Sequence, residues 1–492
     1  MTDTAGTDPA TTARTTRPNI LLICTDQQRF SALAAYDNPE IHTPHLDRLA
    51  GDGVLFENCY VQNPVCGPSR ASLMTGRYVH AHGEWANGVA LPAHERLFTR
   101  ELADAGYDCG LVGKLHLAAC HSGRTEQRLD DGFRVFRWAH DPYKGSSENA
   151  YHRWLKASRP DLYQAALDPD SPVTFDAMPT EAHYSRWIGN ETIDYLRSGR
   201  DKDAPFCFIA NFFDPHHGFG APKEYLDRYD PDALSRPVTT PGELNGKPEI
   251  YTEASEKSYA GHAKGFTEYS ADELQQTKAA YYAMVSLVDD EVGRILQALD
   301  DEGLTDDTVV IFTSDHGEML GDHQLMLKGP MMYEEAVRVP LLIRWPGTIP
   351  AGRRCADLVQ WIDIAPTLFE AAGLATSRAH QGDSLLPVAT GTGGWQRDWA
   401  LCEHRNSSHP YDPPVHTTML RHDRWKIVVH HGDPATSRRR TGELYDLSAD
   451  PHELRNLWDH PAHAATRTSL QERLLDVLVA TEDRSQEREA DW

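Results

Sequence analysis

No run in the chain approaches the ~20 apolar residues that a membrane span requires. The first sixteen residues, Met1 to Thr16, also lack the apolar stretch of roughly 7–15 residues that a secretory signal needs. This Thr- and Ala-rich segment therefore reads as a disordered tail (residues 1–16) on a cytoplasmic protein. Positive charge is scarce as well: 48 Lys and Arg face 73 Asp and Glu, a net charge of −25 with histidine neutral. Such a surface disfavours DNA, RNA or anionic lipid as the main partner, because each presents dense negative charge. An anionic substrate would need a local cluster of cations or a metal to overcome that field. Paired cysteine spacing is missing too. Cys24, Cys59, Cys66, Cys109, Cys120, Cys207, Cys355 and Cys402 are scattered with no C-x-x-C, which argues against a zinc knuckle or a disulfide framework. Internal repeats are absent, and no pattern sets an oligomeric state. What remains is ordinary: 492 residues, 40% hydrophobic and 25% charged, the profile of a soluble globular protein with two or three folding units.

The ordered part opens with Asn19-Ile-Leu-Leu-Ile-Cys-Thr-Asp26, an apolar run ending in a carboxylate. A strand apolar on both faces belongs in the middle of a parallel sheet covered by helices. Thr43-Pro44 gives a helix start, with the hydroxyl as cap and proline at the first helical position. Val54-Leu-Phe56 and Phe206-Cys-Phe-Ile-Ala210 read as further strands. The clearest helix lies between about Ala271 and Gly303, where Tyr281, Val285, Val288, Val292, Ile295 and Leu299 form one stripe. Thr308 to Ser314 is a second buried strand, again ending in a carboxylate, Asp315. Alternating strands and helices indicate an α/β fold with a mostly parallel central sheet, in which ligands bind beyond the carboxyl ends of the strands. Asp26 and Asp315 both fall at that edge. Gly218 to Phe266 reads as an extended surface loop and Gly382 to Pro387 as a linker. Strand-like pieces at Arg424–Val429 and Glu443–Leu447 and a final helix near Leu470–Val479 make a smaller α+β subdomain. The expected division is 17–380 for the large unit and 381–492 for the small one.

The stretch that carries most chemistry is Cys66-Gly-Pro-Ser-Arg70, continuing Ala-Ser-Leu73-Met-Thr75-Gly76-Arg77. Pro68 stiffens a turn and the residues after it suit a helix start. A nucleophile there faces backbone N–H groups and the positive end of a helix dipole, with Arg70 four residues on to bind anionic oxygens. Asp26, Asp315 and His316 make a plausible hard-metal site, since such sites gather oxygen ligands from distant strands. Standing alone, an Asp after a strand is more often a cap or turn former, and a lone cysteine a small buried hydrophobe.

Cys66-x-Pro-Ser-Arg70 followed by Leu73-x-Thr75-Gly76-Arg77 resembles the signature of the type I, formylglycine-dependent sulfatases of the alkaline phosphatase-like superfamily. Further blocks match in the family's order from Pro18 to about Asn456. The resemblance implies a large alkaline phosphatase-like domain and a smaller C-terminal subdomain. It implies that a formylglycine-generating enzyme converts Cys66 to formylglycine, whose hydrated aldehyde is the nucleophile. It also implies one divalent metal held by Asp26, Gln27, Cys66, Asp315 and His316. Gln27 departs from the second Asp of many sulfatases, though its carbonyl can still bind a metal. Calcium is the family default, while the lost carboxylate and the imidazole leave manganese or magnesium open. Gly113-Lys114-Leu-His116 matches a block whose lysine binds sulfate and whose histidine orients or deprotonates the diol. Asp214-Pro215-His216-His217 matches the segment bearing the proton donor, and alignment on Gly218-Phe219 selects His216 over His217. Lys328 matches the second sulfate-binding lysine; His323 lies in the same block. The implied substrate is a small sulfate monoester, aryl, alkyl or sugar. Phosphonate monoester or phosphodiester hydrolases of the superfamily share the signature and an Asp-Gln block like Asp26-Gln27, but lack the Lys-x-His pair seen at Lys114 and His116. Trp85, Asn87, the Gly218–Phe266 loop and Arg405 to Tyr411 are candidate walls for the leaving group, if they are more than surface loop.

Overall fold

A computed structural model describes residues 17–120, 123–142, 146–167, 178–433, 435–436, 439–483 and 485. The tail at 1–16, expected to be disordered, lies outside the described residues. In chain order the strands are β1 (Asn19–Thr25), β2 (Val54–Tyr60), β3 (Asp108–Gly113), β4 (Val135–Trp138), β5 (Phe206–Asn211), β6 (Lys257–Ser258), β7 (Ala263–Lys264), β8 (Thr308–Ser314), β9 (Arg338–Val339), β10 (Leu341–Arg344) and β11 (Arg353–Gln360). After these come β12 (Trp399–Arg405), β13 (His416–His422), β14 (Trp425–His430) and β15 (Thr441–Asp446). The main sheet runs β11-β2-β10-β8-β1-β5-β3-β4, with β9 against β2. The five strands β8, β1, β5, β3 and β4 pair in parallel, so their carboxyl ends share one edge.

The apolar run of β1 is divided between two cores because successive side chains point to opposite faces. Ile20, Leu22 and Cys24 join one hydrophobic cluster; Leu21 and Ile23 join the other. The second face is covered by the helix Ala271–Asp301, whose Val288, Val292, Ile295 and Leu299 are fully buried there. Its start is the capping box formed by Ser270 and Glu273, each side chain accepting from the other's backbone N–H. Helices Cys66–Thr75 and Ile364–Ala371 cover the first face through Leu73, Met74, Ile364 and Leu368. Strands β12 to β15 form a separate antiparallel sheet. One face takes Leu470, Leu474 and Val477 of the helix Ala464–Ala480, while Cys402, Met419 and Val428 join the main core. Among the described residues no helix is long and apolar enough to cross a membrane.

Three local expectations change. Thr43 does not cap the helix Pro44–Gly51: its hydroxyl accepts from Ala34 N–H instead, and Asp289 of the long helix accepts from His45 and Leu46 N–H at 3.2 and 2.7 Å. A carboxylate delivered from a packed neighbour thus replaces the local hydroxyl. Gly382–Pro387 is not a free linker, because Asp383 N–H and Leu385 N–H donate to Asp363 and Thr367 side chains and Leu385 is fully buried. The Gly218–Phe266 stretch contains the helix Glu249–Glu256 and the β6–β7 hairpin, with Ile250, Tyr251 and Ala254 in the main core.

Gly113 closes β3 with φ at +99°, and a Cβ there would lie 1.9 Å from the Asn211 carbonyl oxygen of paired β5. Only glycine lets the chain turn here towards Lys114. Gly113→Ala is expected to cost about 3–5 kcal/mol, from strain plus the forced parting of β3 and β5. A urea midpoint equal to the parent's would contradict this.

Candidate active site

The common carboxyl edge delivers Asp26 and Gln27 from β1, Lys114 and His116 from β3, His216 and His217 after β5, and Asp315 and His316 from β8. Cys66 opens the helix Cys66–Thr75 and Arg70 lies one turn on, so both face the same edge. Lys328 arrives from the loop beyond His316. Thus every residue expected at the site from the sequence converges on it, although Asp26 and Asp315 are 289 positions apart.

The Cys66 thiol lies 3.2 Å from His316 Nε2 and 3.8 Å from Asp26 Oδ1. Donor atoms of Asp26, Cys66, Asp315 and His316 all fall within 4.8 Å of one another, and all four residues are buried. His316 Nδ1–H donates to the Gly317 carbonyl at 2.9 Å, which leaves Nε2 as the lone-pair side aimed at this cluster. Asp315 Oδ1 accepts from Gln27 N–H at 3.0 Å and its Oδ2 from Arg70 Nε at 2.8 Å. Asp26 Oδ2 accepts from Arg70 Nη2 at 3.3 Å and from Lys114 Nζ. The Gln27 carbonyl oxygen accepts from Lys328 Nζ and faces His217 Nδ1 at 3.1 Å, while its amide donates to Glu318. A metal ligand at Gln27 would share that oxygen with these donors.

Charge in this dry cluster is set by the partners. Burial works against ionisation of Asp26, yet Lys114, His216, Arg70 and Lys328 hold its carboxyl well below the usual range. Burial and Asp26 push the Cys66 thiol up, but Lys114, Lys328 and His316 more than offset them and bring it to about 6. Burial disfavours the Lys114 ammonium, which Asp26 and Cys66 restore. His116 is held neutral by burial and by Lys114 and Arg70. His216 and His217 are both held neutral by burial and nearby positive charge; their rings stack at 3.9 Å and His216 Nδ1 lies 2.5 Å from the His217 carbonyl oxygen.

The sequence reading missed several positioning residues. Glu318 accepts from Gln27, Leu320 N–H and Leu327 N–H, tying the Lys328 loop to the β1 edge. Glu126 accepts from His116 N–H, Leu117 N–H and Trp138 Nε1, clamping the segment after β3 to the end of β4. Buried carboxylates inside polar stretches give no local signal, although Glu318 stands in the same block as Asp315 and His316. His323 is stacked on Tyr333 at 3.7 Å with Nδ1 on Glu243. Of the expected walls, Asn87 and parts of the 218–266 and 405–411 segments lie beside the site, while Trp85 is exposed. Asn87 Oδ1 accepts from Gly67 N–H and Asn87 N–H donates to the Ser407 carbonyl. Tyr259, in the β6–β7 turn, packs against His217 at 5.3 Å and His409 at 5.9 Å, and His409 stacks on His262 at 4.1 Å.

Known proteins are similar to this chain in sequence and in fold. The sequence profile described as Sulfatase matches residues 18–374, and one described as N-sulphoglucosamine sulphohydrolase, C-terminal, matches residues 321–480. The N-acetylglucosamine-6-O-sulfatase of Bacteroides thetaiotaomicron is 28% identical over 97% of this chain and 88% of its own length. The arylsulfatase of Clostridium perfringens is 30% identical and covers 95% of each chain. Among solved structures, the phosphonate monoester hydrolase of Agrobacterium radiobacter superposes with a TM-score of 0.82 at 27% identity, over 95% of this chain and 97% of that one. With the family profile spanning most of the sequence and sulfatases matching nearly end to end, the chain belongs to the sulfatase family and is a sulfuric ester hydrolase.

Proposed function

We propose that the enzyme hydrolyses small sulfate monoesters through a formylglycine made from Cys66 and one divalent metal, calcium before manganese or magnesium. The observation that carries this reading is the placement of Cys66 at a helix start, between two buried carboxylates, one imidazole and three cations. Asp26, Asp315 and the Nε2 of His316 suit a divalent ion: two oxygen donors and one nitrogen whose opposite ring N–H is already engaged. Gln27 is the further ligand by way of its carbonyl oxygen. Such an ion, when bound, offsets charge on a sulfuryl oxygen and favours ionisation of the nucleophile. As formylglycine, residue 66 supplies a gem-diol, one hydroxyl to attack sulfur and the other to expel sulfate as the aldehyde reforms.

The remaining steps belong to the side chains. Arg70, Lys114 and Lys328 hold the sulfuryl oxygens in a preorganised cradle, where developing charge is stabilised without solvent reorganisation. His116, neutral in the resting site, takes a proton from the diol or fixes its orientation. An arriving anion favours the protonated form of His216, which then gives its proton to the departing alcohol, a contribution typically of ~10²–10⁴ in rate. Charge balance supports a monoanionic ester. Asp26, Asp315 and Glu318 meet Arg70, Lys114 and Lys328, three against three, so a divalent ion leaves room for one substrate charge and one ionised hydroxyl. The rings of Tyr259, His262 and His409 supply an aromatic wall suited to stacking on an aryl group or a sugar face.

A second reading is favoured by Gln27 and by the likeness to the phosphonate monoester hydrolase. A phosphonate monoester is also a monoanion, so charge does not separate the two. The test uses protein co-produced with a formylglycine-generating enzyme and compares kcat/KM for matched aryl sulfate and aryl phosphonate monoesters. Preference for the sulfate is expected, since the Lys114–His116 pair is the sulfatase pattern. Preference for the phosphonate would overturn it and make Gln27 the telling residue.

A further inference from the structure

A second cluster of metal-binding side chains stands beside this site and shares only His116 with the steps above. His116 and Cys120 follow β3 and His140 follows the neighbouring parallel strand β4, so all three emerge at the same sheet edge. Sγ of Cys120 and one ring nitrogen of each histidine lie within 4.8 Å of one another, and all three residues are buried. The Cys120 Sγ to His140 Nδ1 distance is 3.2 Å, and the two imidazoles meet edge to face at 4.7 Å. A tetrahedral zinc-type centre, with metal–nitrogen bonds of about 2.0 Å and a metal–sulfur bond of about 2.3 Å, spaces its ligands about 3.3–3.6 Å apart. Small rotations of three side chains therefore reach that geometry.

Two further observations point to a ligand. Nδ1 of His116 is buried and has no hydrogen-bond partner among the described residues, a costly state for a polar atom inside a protein. On the far side of His140, the Asp141 carboxylate lies 4.0 Å from Nε2, close enough that a small rotation would let it accept from the N–H of a metal-bound imidazole. The Glu126 clamp on His116 N–H, Leu117 N–H and Trp138 fixes the two strand ends that carry the histidines. Both imidazoles are held neutral by burial, the form that ligates. One thiolate with two imidazoles is a soft to borderline donor set, unlike the carboxylate-rich set around Asp26 and Asp315.

We propose that His116, Cys120 and His140 form a second, inhibitory site for a zinc-type divalent ion, distinct from the hard-metal site at Asp26 and Asp315. Binding costs the Cys120 thiol its proton, which passes to solvent, and ties down His116. The inhibitory part rests on the diol-handling role proposed above for His116; the binding part does not.

Calcium-loaded enzyme is dialysed against zinc, and bound zinc per chain is measured for the parent, Cys120→Ser and His140→Ala. The parent is expected to hold one zinc more than either variant. Cobalt(II) added in a Cys66→Ala background, which leaves no thiol at the active site, is expected to show a thiolate-to-metal absorption band that vanishes with Cys120→Ser. Unchanged thermal midpoints and calcium-supported activity of Cys120→Ser exclude misfolding as the cause. Zinc is expected to lower the parent's activity at least tenfold and to spare Cys120→Ser. Equal zinc in all three proteins, or a cobalt band that survives Cys120→Ser, would overturn the site. Zinc held through Cys120 without loss of activity would keep the site and remove its inhibitory role, and with it the part given to His116.

Discussion

Cys66→Ala is expected to abolish turnover of an aryl sulfate, lowering kcat by at least about 10⁴-fold, the scale seen when an enzyme loses its nucleophile. The substitution removes the side chain from which the formylglycine is made, at the start of a buried helix turn, and leaves the helix, its dipole and the cations in place. Its thermal midpoint should accordingly stay close to the parent's, which separates lost chemistry from lost fold. Cys66→Ser sharpens the test. A serine hydroxyl occupies the same position between His316 and Asp26 and can accept a sulfuryl group. It has no second hydroxyl on the same carbon, so sulfate cannot be expelled by re-forming a carbonyl. The expected record is a burst of at most one alcohol released per chain, followed by near silence. Steady turnover by the serine protein at the parent's rate would rule out the formylglycine, whatever the alanine protein does.

The sheet centre was legible because its strands are apolar on both faces. Asn19–Thr25 and Thr308–Ser314 stand as read, and so does the stripe of the long helix. The loops between them were less legible. Nothing near Thr43 announces that its helix is capped by Asp289, because that partner comes from an element packed against it. The polar look of Gly382–Pro387 suggested solvent, whereas its backbone amides serve buried Asp363 and Thr367. The site divides the same way. Cys66, Arg70, Asp26, Asp315 and the lysines sit in short motifs where spacing reports chemistry. Glu126, Tyr259 and His140 act through contacts made only after folding, among segments with no motif of their own. The same reasoning explains why the walls around Asn87 and His409 were visible only as loops. Their juxtaposition depends on the C-terminal sheet meeting the helix of Cys66, with Asn63 bridging to Glu403 and Ser407.

Asp315→Asn is expected to reduce kcat/KM by about 10³-fold or more and to weaken divalent-metal affinity in parallel. The argument turns on hydrogen-bond direction. One carboxylate oxygen of Asp315 accepts from Gln27 N–H and the other from Arg70 Nε. An asparagine offers one acceptor and one donor, so either orientation sets its NH₂ against a backbone N–H or a guanidinium N–H. Either the Arg70 guanidinium or the Gln27 backbone then loses the partner that holds it, and in both orientations the metal site loses a negative oxygen. At Asp26 the same change would confront Lys114 and Arg70 instead, and the comparison tells the two roles apart. Because Asp315→Asn leaves Asp26 and His316 in place, excess calcium should restore part of the lost activity without restoring the missing hydrogen bond. The measurement is kcat/KM as a function of added calcium for the parent and both variants, with calcium affinity from titration calorimetry. Activity within tenfold of the parent at unchanged calcium affinity would mean that Asp315 serves only to brace Arg70 and Gln27, and that the metal is held elsewhere.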